Sequence, residues 1–78
     1  MQAIKDDDIL YTVAEVAKIM RTNPAYVYEL IKAELLPVLK LGSYKVRKID
    51  LLEFLDKYVG MDLSNPHQVK QLDIKRIS

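Results

Sequence analysis

The chain has 78 residues, half of them hydrophobic, no cysteine, and 12 basic against 11 acidic side chains for a formal net charge of +1. That length makes one domain with a thin core, and the missing thiols exclude disulfide or thiolate–metal support, so stability rests on apolar packing and local signals. The near-neutral balance excludes the broad cationic surface of a strongly basic nucleic-acid binder, so any such function depends on where the charges lie.

No apolar run reaches the roughly 18 residues that span a bilayer. The start carries Asp6, Asp7 and Asp8, where a secretory leader needs positive charge before an apolar stretch. The expectation is a cytoplasmic protein with no membrane partner. Residues 1–11 read as a tail, and their acidic run reads as a solvated face rather than a cation loop, for want of spaced ligands and a loop glycine.

"YTVAEVAKIM" opens the folded part. Thr12 with Glu15 makes a capping box, and Tyr11 and Val16 stand at the positions of a hydrophobic staple. Val13, Val16, Ala17 and Met20 share one helical face, so a helix is expected over 13–20. In "RTNPAYVYELIKAEL", Asn23 is an N-cap and Pro24 suits the first helical position, with Val27, Leu30 and Ile31 as the inward stripe. A second helix over about 24–34 follows, and two helices three residues apart read as helix-turn-helix.

Leu36-Pro37 ends the helical pattern. "VLKL" and "YKVRK", joined through Gly42-Ser43, predict a β-hairpin with Tyr44 and Val46 on one face and Lys45 and Arg47 on the other. Four of the basic residues lie between 40 and 48 with no acid among them: Lys40, Lys45, Arg47 and Lys48. A third helix is expected over about 49–58, with Leu51, Leu55 and Tyr58 at helical spacing and Leu52 and Phe54 beside them, and Gly60 terminates it. Asp50 near its start favours the helix dipole. For 60–78 the sequence leaves open a tail, a short fourth helix from Ser64-Asn65-Pro66, or a strand at "LDIKRI".

No catalytic constellation is present. His67 is the sole histidine, and the two glycines, Gly42 and Gly60, cannot make a phosphate loop. The expectation is no enzyme, no cofactor and no metal. What remains is shape and charge. A helix fits the major groove of B-DNA, and a basic hairpin suits the backbone or minor groove. The candidate contact set for double-stranded DNA is Thr22, Asn23, Ala25, Tyr26, Tyr28, Glu29 and Lys32 from the second helix and its start. From the hairpin come Lys40, Ser43, Tyr44, Lys45, Arg47 and Lys48. Taken singly, a tyrosine-bearing helix or an alternating lysine strand is an ordinary packed or solvated element. Their order along the chain is what predicts a mainly α winged helix-turn-helix over 12–59 with a small β-hairpin.

"YTVAEVAKIM", "NPAYVYELIKAELLPVLKLGSYKVRKIDLLEFL", and Leu10 before them resemble the excisionase-type DNA-binding domain, a relative of the MerR-type winged helix, over about residues 10–58. The resemblance implies sequence-selective DNA binding by the second helix with the hairpin as a wing. It also implies an accessory role directing a site-specific recombinase toward excision from a chromosome, with cooperative self-association on DNA and recombinase contact through the C-terminal tail. The same family includes small transcriptional regulators, and a protein-interaction module that keeps the fold without binding DNA is the third reading. The chain departs from the family pattern at Arg21, where glycine is common, at Asn23 for serine, at Glu29 for a basic residue, and at Ser43 for a wing-tip arginine.

Overall fold

The computed structural model describes residues 10–72. In chain order they form β1 (Leu10–Thr12), α1 (Val13–Ile19), α2 (Pro24–Lys32), β2 (Leu39–Leu41), β3 (Ser43–Arg47), α3 (Lys48–Lys57), β4 (Met61–Asp62) and β5 (Lys70–Gln71). The winged helix-turn-helix expected from the sequence is therefore present: three helices with a small antiparallel sheet ordered β1-β3-β2.

Local chemistry explains each boundary. The capping box at the start of α1 is complete: Thr12 Oγ accepts from the Glu15 N–H, and Glu15 Oε1 accepts from the Thr12 N–H. α1 ends in a Schellman arrangement, with the Arg21 N–H on the Lys18 carbonyl and the Thr22 N–H on the Ala17 carbonyl. Arg21 takes the left-handed position at φ 60°, which is why a glycine suits this place in the turn.

α2 stops at Lys32, two residues short of the 24–34 read from the sequence. A second Schellman arrangement ends it, with Glu34 at φ 63° donating to the Ile31 carbonyl and Leu35 donating to that of Leu30. That wound-back turn swings Leu36 into the core before Pro37. α3 begins one residue earlier than expected, at Lys48.

Residues 10 and 11, read as the end of a tail, are the first strand. Tyr11 pairs with Val46 and Thr12 with Lys45. Three residues are too few to declare an alternation, so only the pairing with β3 reveals them. β2 and β3 meet at Gly42, whose flanking residues Leu41 and Ser43 are already paired, and its φ of 80° allows so tight a reversal.

The core is Val13, Val16, Ala17, Val27, Leu30, Leu36, Val46, Leu51 and Phe54. Every helix contributes to it, and Leu36 and Val46 close it from the α2–β2 link and β3. The inward stripe expected of α3 is only partly correct: Leu51 and Phe54 are buried, whereas Leu52 and Leu55 are exposed and Tyr58 is half-buried. Met20 and Ile31, expected on the inward faces, pack at its edge.

The fourth helix does not form. Asn65 caps its own turn, its Oδ1 accepting from the His67 N–H and its carbonyl from the Gln68 N–H. Asp62 Oδ1 likewise accepts from both the N–H and the hydroxyl of Ser64. These turns bring Lys70–Gln71 back against Met61–Asp62 as a two-stranded ribbon, with Pro66 buried in the loop. The Leu72 N–H then reaches the Gly60 carbonyl. The "LDIKRI" strand reading falls, after Leu72, outside the described residues, as do the aspartates at 6–8.

Candidate nucleic-acid interface

α2 buries Val27 and Leu30, and this fixes what its other sides present. On a helical projection Ala25, Glu29 and Lys32 form the outward side, with Tyr26 and Tyr28 on its two flanks, about 160° apart across it. Each flank carries an attached element.

The hairpin stands on the Tyr28 flank. The Tyr28 and Tyr44 ring centroids are 6.1 Å apart and tilted at 56°. Lys40 Nζ lies over the Tyr44 ring at 4.8 Å, a cation–π contact, and Lys40 is the cross-strand partner of Tyr44. The outward side of α2 and the positive hairpin are thus neighbours. Side chains alternate along β3, so Tyr44 shares the Val46 face while Lys45 and Arg47 take the other. Lys40 is the hairpin cation that touches Tyr44, the residue in contact with α2.

The other hairpin cations are differently engaged. Lys45 Nζ donates to Ser43 Oγ at 2.7 Å. Arg47 makes a fork to Asp50, with Nε to Oδ2 at 2.7 Å and Nη2 to Oδ1 at 2.9 Å. This fork locks the β3–α3 junction where α3 has no side-chain cap. It holds the Asp50 carboxyl below its usual range and lifts the guanidinium further. Lys48 is half-buried as the first residue of α3.

The Tyr26 flank holds the β4–β5 ribbon. The Tyr26 hydroxyl donates to the Leu63 carbonyl. Burial, then the Asp62 carboxylate, push the phenol above its ordinary range and keep the donor protonated. One turn on, Glu29 Oε1 lies 2.9 Å from His67 Nε2, and Lys32 Nζ is 3.5 Å from Glu29 Oε2. The hydrogen bond from His67, then the charge of Lys32, hold Glu29 below the usual carboxylate range. The sequence offered no sign of this pairing, since Glu29 and His67 stand 38 residues apart.

At the start of α2, Asn23 Oδ1 accepts the Tyr26 N–H at 2.9 Å, and Pro24 has no N–H to give. Of the first three helical residues only Ala25 keeps its N–H outside these bonds. Thr22, half-buried, uses its N–H to end α1. Among the described residues no three His, Cys, Asp or Glu side chains gather as a metal site, and no helix is long and apolar enough to cross a membrane.

Two helices across a tight turn, the second exposed between a sheet wing and a ribbon, define a winged helix-turn-helix. The chain belongs to a helix-turn-helix domain family, whose model matches residues 10–58, and that membership suggests DNA binding. No curated protein and no solved structure compared with the chain matches it.

Proposed function

We propose that this protein is a non-catalytic, sequence-selective DNA-binding protein that seats α2 in the major groove and lays its hairpin on the backbone or minor groove of the same duplex. Its role in this reading is that of an excisionase-like directionality factor of a phage or mobile element, arranging DNA for a site-specific recombinase. The observation that supports the DNA mode is the Tyr28–Tyr44 contact, which joins α2 to the strand whose Tyr44 ring carries Lys40. The recombination role rests on the resemblance of residues 10–58 to excisionases. Cooperative binding along DNA and contact with the recombinase belong to the same proposal.

A salt-dependent gel shift tests the mode. Affinity falls as salt rises, and Lys40→Ala lowers the slope by about 0.9, the value of one phosphate contact. Lys45→Ala, on the opposite sheet face, lowers it less. An affinity indifferent to salt leaves the protein-interaction reading. Footprinting on the DNA around the gene separates the two biological roles: several adjacent protected repeats beside a recombinase attachment site support excision, and a single promoter operator supports transcriptional regulation.

A further inference from the structure

We propose that the β4–β5 ribbon is a second DNA-backbone arm, placed so that α2 enters the major groove with the hairpin over one bordering phosphate backbone and the ribbon over the other. This rests on the reading of α2 as the groove-entering helix and adds a partner surface to it.

The geometry begins with the two tyrosines. Tyr28 ties α2 to the hairpin through Tyr44, and Tyr26 ties it to the ribbon through the Leu63 carbonyl. They lie on opposite flanks of the outward side, about 160° apart around the axis. A helix with its side chains is about 10–12 Å across, and the major groove is about 12 Å wide. A helix seated there fills the groove, so whatever is fixed to its flanks is carried onto the groove's walls. Those walls are the two phosphodiester backbones.

The ribbon also reaches far enough outward. His67 touches Glu29, which belongs to the outward side itself rather than to the flank. The ribbon therefore stands level with the rim of the reading surface. What it offers there is polar: Ser64, Asn65, His67, Gln68 and Lys70 are all exposed. Hydroxyl, amide, imidazole and ammonium groups are the ordinary phosphate ligands of DNA-binding proteins.

His67 has a specific part. One ring nitrogen is engaged by Glu29, an acid that a groove lined with phosphates repels. The ribbon's imidazole occupies one carboxylate oxygen of Glu29, and Lys32 lies 3.5 Å from the other. Glu29 thus becomes compatible with a DNA-facing position because the ribbon is there.

The absence of cysteine makes the test direct, since a single introduced thiol is a unique attachment point for an iron–EDTA cleaving reagent. Gln68→Cys marks the ribbon and Ser43→Cys the hairpin. The probe is a labelled duplex selected by the wild-type protein from a randomised pool. The expected result is cleavage from both positions, on the two opposite backbones that border one major groove. Lys70→Ala, made without any reagent, should lower the salt slope by about 0.9. Cleavage from Ser43→Cys alone, with an unchanged slope for Lys70→Ala, overturns the second arm while leaving the hairpin mode intact. Cleavage from neither position, or a pool that yields no binder, removes the underlying DNA reading instead. Tighter binding by His67→Ala also overturns the proposal, because it makes the ribbon an obstruction that DNA must displace.

Discussion

The two flanks of α2 are built from different chemistry. On the hairpin side an aromatic pair leads directly into buried structure: Tyr44 sits in the same strand as Val46, which is fully buried, and that strand is hydrogen-bonded on both edges. On the ribbon side Leu63 packs at the edge of the core, and the polar ties to α2 are one phenol–carbonyl hydrogen bond and one carboxylate–imidazole contact. The ribbon also has two residues per strand, near the lower limit for independent pairing. The comparison teaches that one flank hangs on a strand with a fully buried residue, whereas the other combines edge packing at Leu63 with polar contacts that respond to pH. An element that contributes no fully buried side chain from its strands opens at lower free-energy cost than one that does.

The largest expected effect removes the ground under both flanks together. Leu30 is fully buried beneath α2, and Leu30→Ala should cost about 2–5 kcal/mol. In a domain this small that is a large share of the total stability. Denaturant unfolding followed by circular dichroism measures it. Loss of DNA binding in this variant at temperatures where it is unfolded says nothing about readout. If Leu30→Ala instead left the melting point unchanged, α2 would not be anchored as described, and the distinction between its flanks would lose its basis.

A smaller effect acts on the turn before α2 and favours neither flank. Arg21 holds a left-handed conformation that costs an L-residue about 1 kcal/mol or more relative to glycine. Arg21→Gly should therefore stabilise the domain by about 1 kcal/mol in denaturant unfolding, with the hairpin and ribbon equally protected afterwards. A destabilised variant would mean that the arginine side chain contributes packing or charge that outweighs the backbone strain.

These two sites also show what was legible beforehand. Capping chemistry and helical spacing are local, so Thr12, Glu15, Asn23 and Pro24 announce the starts of α1 and α2, and Leu30 reads as core from its stripe alone. The hairpin is legible for the same reason, through Gly42 and the alternation after it. The ends of the helices are less so, because Arg21 and Glu34 occupy positions where a glycine would have signalled the stop. β1 is invisible without β3, since a three-residue strand has meaning only through its partner. Alternation alone puts Lys45 and Arg47 on one face, but which face adjoins α2 depends on how the sheet docks. The ribbon is the extreme case: its turn residues read as a helix start, and Tyr26 and Glu29 read as free groups on the outward side of α2. Only the folded chain brings Leu63 and His67 to them.

A more selective change separates the flanks. Tyr26→Phe keeps the ring and deletes the hydroxyl, leaving the Leu63 carbonyl to solvent or unpaired. The loss should be about 1 kcal/mol, confined to the ribbon. Amide exchange reads it by position: the Leu72 N–H, bonded to the Gly60 carbonyl, should exchange faster, while the amides of β3 keep their protection. Equal acceleration in β3 would show that the ribbon and hairpin open as one unit, and the contrast between them would collapse.

The smallest effect is the most diagnostic, because only one flank carries it. Glu29 is held below its ordinary range by the His67 hydrogen bond first and by Lys32 second. A depressed carboxyl contributes attachment that is present above its unfolded value and lost as pH falls through its folded one. Lys32 on α2 lies 3.5 Å from the same carboxyl group. Asp62, on the ribbon, is held low by Ser64 and adds to the same acidic limb. Ribbon attachment should therefore be complete above the carboxylate range and weaken as pH falls through it. Amide chemical shifts of Leu63 and Gln68 followed into acid should trace that loss, while that of Tyr44 stays flat. Glu29→Gln should leave only the Asp62 part of the transition. An acid transition that keeps its full size in Glu29→Gln would place the titration elsewhere and remove the Glu29 contact as a tie of the ribbon.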